Sequence, residues 1–250
     1  MGHEPATTFD EWVDFCVREG LADKRRSTQW RDIAPDPESL LRLSAAEPPH
    51  EMFEQSEDPL HTLDAPTVAE FMLRLFRSPA FLIDRYSAAE LDALVKFIFS
   101  GSSSYFDEIR DAQIPQRLLI DIHRAVAVVY TDLLDPVCAR LEPGPWADPR
   151  NDDSICGTVY AIWELDQIFC ALFPRDAHPD LHEPCFEALE AATLGCRSNA
   201  CKFSGLHGLG HLVDTYPRQA GRIIGRYLDR PNEPEHVVEY AVDASTGSIL

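Results

Sequence analysis

His207 and His211 stand four residues apart in LHGLGH, which puts both imidazoles on one face of a helix. Two histidines so spaced can chelate a metal ion, and Cys201 or Asp166 are the donors at hand to extend the set. The glutamate of an HExxH site is missing between them, however. A bare pair is an incomplete ligand set, so the favoured reading is a polar seam in which Asp166, His207 and His211 satisfy one another where helices meet. On that reading no metal or other cofactor is expected. The alternative is a metal centre of His207, His211 and Cys201.

A second pattern follows in PRQAGRIIGRYLDR. Arg218, Arg222, Arg226 and Arg230 recur every four residues and form a drifting ridge, with Ile223, Ile224, Tyr227 and Leu228 towards the packing side. Such a row pairs with carboxylates of adjoining helices, for example those of PEHVVEYAVD, or serves as a binding groove for an acidic ligand. In WELD, Glu164 and Asp166 interrupt an apolar stretch and need partners, and Asp166 is expected to be the structural linchpin. Asp107, Glu108 and Asp111 read as a solvated acidic face. The chain contains no Gly-rich phosphate loop, GxSxG elbow or CxxC pair. No catalytic residue is assigned.

The elements that must position these groups are helices. TTFDEWVDFCVREG carries a Thr cap, an acidic first turn and an apolar face, and is expected to stop at Gly20. From residue 21 to 65 periodicity fades into a loop-rich arm. Helical patterns resume with PTVAEFMLRLFRS and with SAAELDALVKFIFSG, which has a capping box. A longer helix is expected from Pro115 to Leu141, bent or divided by Pro136. Helices over 155–173, 182–195, 199–214 and 217–229 complete the list, and no alternating pattern supports a strand. Gly205, Gly208 and Gly210 within one helix imply close approach of a neighbour, since each costs about 1 kcal/mol relative to Ala. The expected fold is all-α: an N-terminal helix and arm over 1–65, then a HEAT-like α-α superhelix of stacked antiparallel helix pairs over 66–250.

The chain of 250 residues carries 42 acidic against 22 basic side chains, a formal charge of −20. That argues against a nucleic-acid partner and for a cationic one. No apolar run reaches the roughly 20 residues of a membrane-spanning helix. Seven scattered cysteines suit thiols in a reducing compartment, and the N-terminus has no secretion-signal pattern, so a cytoplasmic protein is expected.

The run CKFSGLHGLGHLVDTYP, with IIGRYL and PEHVVEYAVDASTGSIL after it, resembles a group of bacterial proteins built from HEAT-like helices. The resemblance extends back through RYSAAELDALVKFIFS, IHRAVAVVYTDLLDPVCARL and YAIWELDQIF, over about the last two-thirds of the chain. It implies a helical-repeat fold, no established reaction, and a packing role for the glycine and histidine pattern. The function expected from these readings is a non-enzymatic protein-binding scaffold, in its concrete form an immunity or antitoxin-like protein masking a basic partner. The alternatives are a metal-dependent enzyme using His207 and His211, and an architectural subunit docked through the 21–65 arm.

Overall fold

A computed structural model describes residues 7–33, 63–112, 114–165 and 168–249, and all the regular elements among them are helical. Most of the 21–65 arm, including EMFEQSED, and Asp166 lie outside the described residues. No described helix is long and apolar enough to cross a membrane.

Helix α1 (Phe9–Ile33) packs its face of Trp12, Val13, Phe15 and Cys16 against α4 (Ala88–Phe99). It does not stop at Gly20. That glycine marks contact instead: a Cβ there would collide with the Ala93 carbonyl of α4, so the absent side chain lets the two backbones touch. Between them in sequence come α2 (Ala65–Arg77), capped by Asp64, and the short α3 (Leu82–Arg85). The capping box of α4 forms as its sequence predicts, with the Ser87 side chain on the Glu90 N–H and the Glu90 carboxylate on the Ser87 N–H.

After α5 (Tyr105–Asp111), α6 (Gln116–Val129) runs between α2 and α9 (Pro179–Glu190). The helix expected over 115–141 is divided at a π-helical turn, Tyr130–Leu134, from which α7 (Asp135–Leu141) continues with Pro136 in its first turn. Pro136 has no N–H to donate back, and the wider turn ahead of it accommodates the break.

The segment 155–173 is likewise not one helix. It divides into α8 (Ile155–Tyr160) and 3-10 turns at Ala161–Glu164 and Phe169–Ala171. Its β-branched and aromatic residues, Ile155, Thr158, Val159, Tyr160, Ile162 and Trp163, give weak helical preference. A second π-helical turn, Ala191–Gly195, ends α9.

Helix α10 (Asn199–Leu212) is the hub. It touches α7, α8, α9, α11 (Pro217–Leu228) and α12 (Glu235–Ser245). All its residues except His211 are buried. Its glycines explain how. A Cβ on Gly208 would stand 2.7 Å from Leu189 and 2.8 Å from Trp163, and one on Gly210 2.6 Å from Ile249. Neighbouring side chains fill the grooves those two glycines leave, and at Gly205 the neighbour is Thr193.

Candidate metal centre

Two elements bring a carboxylate and two imidazoles together. Glu164 ends the 3-10 turn after α8, while His207 and His211 project one turn apart from α10. His207 Nε2 lies 2.8 Å from Glu164 Oε1 and 3.1 Å from His211 Nε2, and His211 Nε2 lies 3.9 Å from Glu164 Oε1. A tetrahedral ion with ligands at 2.0–2.1 Å separates its ligand atoms by about 3.3 Å. The three distances bracket that edge length.

The hydrogen-bond inventory points the same way. A neutral imidazole carries one proton, and His207 has two polar neighbours on Nε2 and two on Nδ1. On the inner side, the Tyr240 hydroxyl lies 2.6 Å and the Tyr160 hydroxyl 3.2 Å from Nδ1, and the two hydroxyls are 3.3 Å apart. If the Nδ1–H donates to Tyr240, the Nε2 lone pair is free and aimed at the carboxylate and the second imidazole. This is how a metal-ligating histidine is oriented. Burial lowers the pKa of His207 against the opposing pull of Glu164, so the ring favours the neutral form that ligates metals.

The cluster sits at a boundary. The His207 side chain is 0% exposed, whereas Glu164 and His211 are 48% and 40% exposed. The inner ligand is fixed by the core and the outer two face water. Phe169 stands edge-on to His211 with ring centroids 5.9 Å apart, and supplies an apolar flank.

His207 and His211 do meet, and among the described residues the acid beside them is Glu164; the expected partner Asp166 lies outside the described residues. Cys201 lies at the other end of α10, in a separate cluster with Asp135 and Cys196. Glu164, Tyr160 and Tyr240 were not singled out by spacing. The one signal for Glu164 was that it shared an apolar stretch with Asp166, and an unbroken helix there would point the two in different directions.

The arginine row on α11 is partly engaged. Arg226 pairs with Glu190 of α9, and Arg222 reaches the same carboxylate at 3.7 Å. Arg230 lies 3.2 Å from Glu233 and donates to the Leu194 carbonyl at 3.1 Å. Arg218 is exposed and makes no ion pair among the described residues. Of the acidic face on α5, Asp107 pairs with Arg110, and no metal-type cluster forms there among the described residues.

Compared with family models, curated proteins and solved structures, the chain matches none.

Proposed function

We propose that the protein is metal-dependent, binding a divalent ion of the zinc class through Glu164 Oε1, His207 Nε2 and His211 Nε2. The observation that carries this is the triangle of 2.8, 3.1 and 3.9 Å between the three ligand atoms, backed by Tyr240 on the far nitrogen of His207. Three protein ligands, two of them half-exposed, leave a coordination position towards solvent. Closed structural sites use four protein ligands; sites with three activate a water molecule, whose pKa on zinc falls to about 7. The reaction class this supports is metal-assisted hydrolysis. An ion held there would supply an acidified water, with His207 as the buried ligand and Glu164 and His211 as the half-exposed ones. The test is elemental analysis of untagged protein isolated without added metal, with a stoichiometric transition metal expected in the wild type and none at this site in His211→Ala. Wild-type protein that neither retains nor takes up zinc refutes the proposal.

A second reading is a protein-binding scaffold, with an immunity or antitoxin-like protein that masks a basic partner as its concrete form. The charge of −20 favours it, because acidic surfaces speed encounter with cationic targets. HEAT-like stacking belongs to this reading. Packing of α10 on both α9 and α11 supports it locally, while the added contacts of α10 with α7 and α8 go beyond a one-dimensional stack. Cys16, Cys138, Cys156, Cys185, Cys196 and Cys201 are buried thiols outside any disulfide, which supports a reducing, cytoplasmic location. Pull-down with the full chain tests the scaffold reading, with saturable capture of a basic protein expected; no such capture counts against it.

A further inference from the structure

The opposite end of α10 holds a second donor cluster. Asp135 opens α7 and Cys138 lies one turn on, Cys196 follows the π-helical turn after α9, and Cys201 lies in the first turn of α10. Their exposures are 5%, 0%, 2% and 0% in that order. The ligand atoms of Asp135, Cys196 and Cys201 all lie within 4.8 Å of one another, and Cys138 stands outside that group. A tetrahedral zinc with sulfur at about 2.3 Å requires ligand atoms about 3.7 Å apart.

Ordinary thiol packing explains this arrangement less well. Cysteine is a frequent small core residue, and Cys185 is fully buried outside any such cluster. What sets the cluster apart is a buried carboxylate in the middle of it. Asp135 Oδ1 accepts from the Arg197 and Ser198 N–H groups at 2.7 Å each. Among the described residues, the cation paired with Oδ2 is Arg197 Nε, 3.6 Å away on a side chain 82% exposed. The nearby buried Lys202 is committed to Glu233 at 2.6 Å. A carboxylate edge faces soft sulfur donors with little positive charge to balance it.

We propose that Asp135, Cys196 and Cys201 form a buried metal site, distinct from the histidine centre, that takes a thiolate-preferring divalent ion of the zinc class. On binding, two S–H bonds would break and two metal–sulfur bonds form, with two protons released to solvent and the Asp135 carboxylate as the third donor.

The experiment is a cobalt titration of the reduced, full-length chain carrying His211→Ala, which silences the histidine centre. Expected is an intense sulfur-to-cobalt charge-transfer band in the near ultraviolet, complete at one equivalent and bleached by zinc. Zinc should also protect two thiols, Cys196 and Cys201, from a thiol reagent in the native protein. A histidine and carboxylate site gives no such band, so failure here leaves the proposal for His207 intact, and the reverse holds. The Cys196→Ser change should abolish the band. Because that variant could misfold, the decisive reading is the one without a cysteine change: no charge-transfer band, with thiol reactivity unaltered by zinc, overturns the proposal.

Discussion

The two ends of α10 make a controlled comparison within one helix. At its first turn Cys201 meets Asp135 and Cys196 with every donor buried; two turns later His207 and His211 meet Glu164 with the outer two donors half in water. One helix carries both, while different neighbours complete them: α7 and the turn after α9 at one end, the turn after α8 and α12 at the other. They differ in exposure, and that divides the expected chemistry. A buried thiolate set lends stability when its ion binds, whereas an open set leaves a coordination position for a reacting molecule.

The largest effect should come from removing the groove that both ends depend on. Gly208→Leu would thrust a side chain into Leu189 and Trp163, and a loss of about 3 kcal/mol is expected from urea denaturation. Unchanged stability would mean that α10 is not clamped there, and neither cluster would then be held in place.

His123 sharpens the comparison, being a buried imidazole outside either cluster. Its Nδ1–H donates to the Leu119 carbonyl at 2.9 Å, and its Nε2 is buried without a partner. Burial lowers its pKa from 6.5 to about 4. As pH falls the unfolded chain takes up this proton first. The stability it confers is therefore complete above pH 6.5 and lost between 6.5 and about 4, by on the order of 3 kcal/mol. His123→Leu should flatten that part of the pH–stability curve; an unchanged slope would place the acid sensitivity elsewhere.

At the histidine centre, Tyr240→Phe removes the hydroxyl on His207 Nδ1 without touching a ligand. Zinc affinity measured by chelator competition should fall about 10-fold, in line with other outer-shell changes. An unaltered affinity would show that the ring is oriented by packing alone. The smallest effect is expected on α11, where replacing Arg222 and Arg226 by Glu removes exposed pairs to Glu190 and should cost under about 1 kcal/mol. A larger thermal shift would make the ridge structural.

Much of this frame was legible in the chain. Ser198 caps α10 and Pro217 opens α11 where the sequence places their starts, and the Ser87–Glu90 box is present. The imidazole pair was legible because a four-residue spacing is local. Its acid was not. Glu164 reaches His207 only because the segment after Tyr160 tightens into a 3-10 turn, and Tyr240 arrives from 33 residues downstream. The thiol cluster was hidden for the same reason, since Asp135, Cys196 and Cys201 share no motif and meet through packing of α7 on α10. Periodicity reveals which face of a helix is apolar; it does not reveal which distant side chains share a corner. Gly20 shows the limit in the other direction, where a residue that ordinarily ends a helix instead lets α1 and α4 touch.

The most direct test of the metal centre is chelator-competed zinc titration of the wild type beside His211→Ala, a change at a side chain 40% exposed and outside the core. The wild type should bind an equivalent of zinc that the variant lacks, with equal thermal stability of the two metal-free proteins. Identical zinc binding by both would contradict a centre built from Glu164, His207 and His211.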